Sequence, residues 1–221
     1  MICRLEDIAN FQKGFAFKSR DFIQEGIRVI KVTNLTDESI DLSSCVHMDE
    51  SLANNYERYS LQNDDIIITT VGSWPTNPAS VVGKVVKVPK AADKSLLNQN
   101  AVRVRSNGKV NQKYLYYLLR SDEFKEYIIS TAQGSANQAS ITQKDIKNFK
   151  YEIPERETQD YIARILSTID EKIEVNNQIN KTLENMAQAI FKQWFVDFEF
   201  PNEDGEPYKS SGGEMVESEL G

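Results

Sequence analysis

One stretch constrains this chain more than any other. From Glu155, just after Pro154, to Phe198, just before Pro201, the sequence carries the apolar periodicity of a single amphipathic helix. At ~1.5 Å per residue such a helix is roughly 65 Å long. That is more than a small domain can wrap, so the helix needs a partner. The acids Glu155, Glu157 and Asp160 lie in its first turns, where they complement the positive end of the helix dipole. Its seam has heptad spacing. One set is Ile162, Ile169, Asn176, Leu183 and Ile190, and the other is Leu166, Ile173, Asn180, Ala187 and Trp194. Ile165, Ile179 and Met186 widen the stripe. Two asparagines in the middle of an apolar seam cost stability and fix register, because each is tolerated best opposite another polar group. An antiparallel pair of copies would bring Asn176 and Asn180 to a shared two-fold axis. Packing on the chain's own domain, or on another protein, satisfies the same periodicity. Beyond Ala189 the helix is apolar nearly all round, through Phe191, Trp194, Phe195 and Phe198, which predicts more than one neighbour there.

The remainder of the chain predicts an α+β fold: a sheet-rich globular domain over 1–154, the helix and its end over 155–200, and a linker-like tail over 201–221. Strands are expected at 27–33, 66–71, 80–88, 100–106 and 151–154. Short helices are expected at 5–11 and near 51–57. Asn111, Ser121 and Thr142 are in position to cap three further helices. Residues 72–78 and 134–140 read as loops.

Charge is unevenly placed. The net charge is -7, yet residues 1–154 hold 20 Lys and Arg against 18 Asp and Glu, whereas residues 155–221 hold 6 against 15. Between Lys84 and Lys113 there are eight basic residues and one acid, Asp93. A local basic face, not the whole-chain sum, governs phosphate contacts; a solvated strand face explains the same run. No stretch approaches the length of a membrane span, and the opening residues lack the core of a signal peptide. With two cysteines, Cys3 and Cys45, there is no disulfide framework, and a reducing cytoplasm is expected.

Catalytic patterns are missing. There is no Gly-rich phosphate loop, and His47 has only Cys3 and Cys45 for company as a metal ligand. Asn77-Pro78 does not continue into the Asn-Pro-Pro-aromatic motif of amino-methyltransferases. A binding and assembly role fits better. Asn and Gln pair bidentately with adenine, and Arg and Lys with guanine. The candidates for DNA contact are Ser73, Trp74 and Asn77, Arg103 and Arg105, and Gln133, Gly134, Ser135, Asn137 and Gln138. Lys13, Lys18, Lys84, Lys87 and Lys144 would grip phosphates without reading sequence. Trp74 serves equally as a core anchor.

Several segments together resemble a known family. The run DEKIEVNNQINKTLENMAQAIFKQWFVDFEF at 170–200 is similar to the helical spacer of type I restriction-modification specificity subunits. GFAFKSRDF at 14–22, DDIIITTVG at 64–72 and the segment from 134 to Pro154 are similar to parts of that family's target-recognition domain. The tail from Pro207 resembles the linker that leads into a second such domain. The resemblance implies a non-catalytic subunit that reads one half of a bipartite DNA target. It implies as partners double-stranded DNA, DNA methyltransferase subunits and a translocating restriction subunit. S-adenosylmethionine would be held by the methyltransferase, with no cofactor on this chain. Family members usually carry two recognition domains and two spacers. One of each here implies a homodimer, its helices paired as an antiparallel coiled coil. The competing expectation is a helical scaffold or regulator that acts through the long helix and ignores DNA.

Overall fold

The computed structural model describes residues 2–37, 39–74 and 81–216. It has the mixed α+β architecture expected, in two units, Met1–Leu166 and Ser167–Gly221.

The first unit is built around a four-stranded antiparallel sheet. Its members are β2 (Ala9–Lys13), β6 (Ile66–Thr69), β8 (Val85–Lys87) and β10 (Ala101–Ser106), in the order β2-β10-β6-β8. Ile66, Ile67 and Ile68 are all fully buried. A strand reads as unbroken isoleucine when both of its faces are covered, and here they are. Ile66 and Ile68 join Val102 and Val104 in one core, and Ile67 joins Ile30, Val86 and Leu97 in another.

The first core is closed by short helices: α1 (Leu5–Ile8), α3 (Gln112–Leu119), α4 (Asp122–Thr131) and α5 (Gln143–Asn148). Their starts follow the sequence signals. The side chain of Asn111 accepts from the amide of Tyr114 at 3.0 Å, and that of Ser121 from the amide of Phe124 at 3.2 Å. Thr142 and Asp145 form a reciprocal capping box at α5. Each such cap satisfies a backbone donor that the helix cannot, typically worth ~1 kcal/mol.

A second four-stranded sheet runs β3-β5-β4-β9, from β3 (Phe22–Ile23), β4 (Ile27–Ile30), β5 (Val46–Met48) and β9 (Leu96–Leu97), with α2 (Glu50–Ala53) beside it. A third core packs Phe17, Val29, Met48 and Leu96 against Phe15, Tyr56 and Tyr59. β1 (Ile2–Arg4) pairs with β13 (Lys150–Glu152).

The structure corrects three boundaries. The strand expected over 80–88 is only Val85–Lys87 among the described residues. Gly83, at φ +77°, turns the chain there, and a Cβ on it would lie 2.8 Å from Cγ2 of Ile128. The helical pattern at 5–11 stops at Ile8, and Ala9 onward joins the main sheet. The third correction concerns residues 134–140, a hairpin where a loop was expected.

The long helix, α6 (Arg156–Phe191), begins in the first unit and continues in the second. It is followed by a π-turn over Lys192–Val196, so the α-helix ends seven residues before Phe198. Phe198 takes φ +57° and ends the helical run. The tail is ordered by local contacts. The Phe200 and Tyr208 rings stack at 4.7 Å, the Tyr208 amide donates to the Phe200 carbonyl at 2.9 Å, and the Ser210 hydroxyl donates to the Glu199 carboxylate.

Candidate nucleic-acid interface

The hairpin formed by β11 (Gln133–Ser135) and β12 (Gln138–Ser140) turns at Ala136-Asn137. Strand β12 also pairs with β7 (Val71–Gly72), matching Ala139 to Gly72 and Ser140 to Val71. The result is a small three-stranded sheet, β11-β12-β7, projecting from the main fold. Ala139 alone of the hairpin is buried; Gln133, Gly134, Ser135, Asn137 and Gln138 are exposed. Gly134 is needed because a Cβ there would lie 2.0 Å from the carbonyl oxygen of Gln138.

Two groups of candidates that are about sixty residues apart in sequence meet on this sheet. Residues 73 and 74 leave directly from β7. The Trp74 indole N–H donates to the Ser135 carbonyl at 2.7 Å, and its ring packs partly against the first core. Trp74 thus ties the hairpin to the body of the fold. The Ser73 carbonyl accepts from the Val82 amide at 3.0 Å. Lys144 is exposed in the first turn of α5, four residues past the end of β12. Asn77 lies outside the described residues.

The other basic candidates are distributed differently. Arg103 and Arg105 lie on the face of β10 that Ile67 of β6 shares, and that face is covered, not solvated. The Arg105 guanidinium clasps the Asp65 carboxylate with Nε and Nη2 at 2.6 and 2.7 Å, and Asp65 is only 2% exposed. The hydrogen bond to that carboxylate pushes the Arg105 pKa further up. Arg103 is half-buried, donates from Nη1 to the Ser60 carbonyl, and keeps a buried Nε with no partner among the described residues. Burial, then the nearby Arg105 charge, lowers its pKa. Both arginines are therefore held inside the fold, which corrects the expectation that they form a free base-reading pair. Lys84 is 2.7 Å from Asp37, whose carboxyl is held below its ordinary range first by that hydrogen bond. The Lys87 ammonium lies 5.3 Å from the centre of the Tyr116 ring. Lys13 and Lys18 are exposed, at the end of β2 and beside a short turn at Ser19–Asp21. They flank the aromatic group of Phe15, Phe17, Tyr56 and Tyr59, not the hairpin.

What sequence reasoning missed was the hairpin itself and the anchoring role of Ala139. The available signal was slight: two three-residue runs, Gln-Gly-Ser and Gln-Ala-Ser, around a turn-forming Asn137.

On α6 the expected seam divides. Ile162 and Leu166 are half-buried in the first unit, where Ile162 packs against the first core and both line an open groove. Ile169, Ile173, Asn176, Asn180, Leu183, Ala187, Ile190 and Trp194 are exposed, Leu183 to 57% and Ile173 to 49%. Among the described residues no cluster of His, Cys, Asp and Glu is arranged to hold a metal, and no helix is long and apolar enough to cross a membrane.

Comparison with known proteins places this geometry in context. Residues 1–185 match the model of the type I restriction modification DNA specificity domain. The specificity subunit of the type I restriction enzyme HindI of Haemophilus influenzae is 37% identical over 119 residues, which cover 53% of this chain and 26% of that protein. The MjaVIII specificity subunit of Methanocaldococcus jannaschii is 25% identical over 192 residues, covering 86% of this chain and 44% of that protein. The chain thus spans less than half the length of these curated relatives. The crystal structure of a type I restriction-modification S subunit from M. genitalium shares the fold at a TM-score of 0.61 and 17% identity, over 89% of this chain and 46% of that one. Matched over most of its length, the chain belongs to the type I restriction modification DNA specificity family.

Proposed function

We propose that this chain is a DNA-sequence specificity subunit that reads one half of a bipartite target and performs no catalysis of its own. The observation that carries the reading is the β7-β12-β11 sheet. In a chain of this family it projects exposed amides and hydroxyls beyond the core, with Lys144 close by in sequence. Side chains of that kind reach base edges in a groove, while a nearby ammonium holds phosphate. In this reading methyl transfer is done by partner methyltransferase subunits, which hold the S-adenosylmethionine, and a restriction subunit joins them. The exposed heptad seam of α6 pairs antiparallel with a second copy. The helix pair then sets the distance between two half-sites, so the target is an interrupted palindrome.

The test is methylation mapping in cells that contain this chain with its methyltransferase partner. A symmetric two-part motif is expected. Lengthening α6 by one heptad in its exposed half should change the gap between half-sites and leave the half-sites themselves unaltered. Altered half-sites would overturn the ruler role. Absence of any effect of this chain on duplex binding at low salt, with or without the methyltransferase, would favour a scaffold.

A further inference from the structure

The first unit carries an apolar groove of about 360 Å³ that its own residues leave open. Tyr114, Tyr117, Leu118 and Tyr151 form its floor and one wall, and Ile162 and Leu166 form the other. Those last two residues also begin the heptad seam of α6, so the groove continues into the exposed apolar stripe. At the opposite end of the same element is an unpartnered aromatic group: Phe191 and Phe195 are stacked at 5.2 Å, with Phe195 63% exposed and Trp194 on the seam beside them. An open apolar groove and an exposed aromatic group of this size are each normally covered.

The register of the seam relates the two. Antiparallel pairing about a two-fold between Asn176 and Asn180 sets every member of one heptad set opposite a member of the other. Asn176 meets Asn180, Ile173 meets Leu183, Ile169 meets Ala187, Leu166 meets Ile190, and Ile162 meets Trp194. A slip of one heptad either way sets Asn180 against Leu183 or Asn176 against Ile173, which buries an amide against hydrocarbon. The asparagines therefore select the register that delivers Ile190 and Trp194 to the two residues that line the groove. The widened side of the stripe agrees, since Ile179 then lies beside its own mate near the axis.

We infer that the groove bounded by Tyr117, Leu118, Ile162 and Leu166 is the docking site for the aromatic helix end, Ile190 to Phe195, of a second copy of this chain. The proposal rests on the self-pairing of α6 put forward above and goes beyond it. It makes the recognition unit of one copy part of the interface, so each helix is clamped at both ends and not only along its seam. Two such clamps related by the two-fold fix where each reading sheet sits on the paired helices.

Two single-cysteine variants test this, both with Cys3→Ala and Cys45→Ala. One carries Tyr117→Cys and the other Trp194→Cys. They are mixed as full-length chains and oxidised, and a Glu123→Cys chain on the exposed side of α4 replaces the first as control. A cross-link between the Tyr117 and Trp194 variants, absent with the control, is expected. In sedimentation equilibrium Trp194→Ala, which alters an exposed side chain, should weaken the dimer by at least about ten-fold. A dimer that forms as tightly with Trp194→Ala and gives no cross-link would overturn the groove assignment and leave the seam pairing standing. A wild-type chain that stays monomeric at every concentration would remove both.

Discussion

Strand β10 and the β11-β12 hairpin are both polar by sequence, and the structure uses them in opposite ways. On β10 the side chains with the most charge face inward. Arg105 is spent on Asp65, and Arg103 on the Ser60 carbonyl. On the hairpin the side chains carry no charge at all, yet Gln133, Ser135, Asn137 and Gln138 face water. The difference teaches that charge counted along a sequence is a poor guide to a nucleic-acid surface. A cation already paired inside a fold has no capacity left for phosphate. A neutral amide held outside on a rigid backbone keeps all of its donors and acceptors.

The largest expected effect breaks the inward half of the comparison. Asp65→Ala leaves the Arg105 guanidinium without its clasp and removes the acceptor of the Gln62 amide. Stability measured by urea unfolding should fall by about 3 kcal/mol, as for other buried pairs broken on one side. A loss below ~1 kcal/mol would mean that the pair is not held inside. Next comes the hairpin. Gly134→Ala collides with the Gln138 carbonyl, so sequence-specific binding should drop toward the non-specific level, on the order of 10³-fold. The urea midpoint should barely move, because the hairpin lies outside the cores. A shifted midpoint with unchanged binding would reverse the roles assigned to the two regions.

Asn137→Ala and Gln138→Ala, tested separately, should each cost roughly 1–3 kcal/mol in binding and relax preference at one base position. Scoring all single-base variants of the half-site by competition would reveal a uniform loss instead, if these residues touch only the backbone. Lys144→Ala should weaken binding equally for every sequence and reduce the salt slope by about one. Lys84→Ala should leave that slope unchanged, since its ammonium is engaged with Asp37. An equal effect from both lysines would blur the distinction between paired and free cations.

Much of the fold was legible in advance because its signals are local. The isoleucine run at 66–68, the alternation through Val102 and Val104, and the caps at Asn111, Ser121 and Thr142 each depend on a few neighbouring residues. The heptads of α6 were legible for the same reason. The candidate interface was only half so. Alternation says that Arg103 and Arg105 share a face of β10, but not that Ser60 and Asp65 wait on that face; that information lies some forty residues away. The pairing of β12 with β7 is equally non-local, and two bridges between short strands leave almost no periodicity to detect. The helix end was also misjudged, since apolar residues continue through a π-turn as readily as through an α-turn.

The way the hairpin is attached has a consequence for how such a protein changes over generations. Its hold on the rest of the molecule consists of main-chain pairing to β7, the single buried methyl of Ala139, and an indole bonded to a carbonyl oxygen. None of these depends on which side chains occupy positions 133, 135, 137 and 138. Substitutions at those four positions are nearly free of penalty to folding, so new preferences can arise by single steps while the scaffold beneath stays as it is.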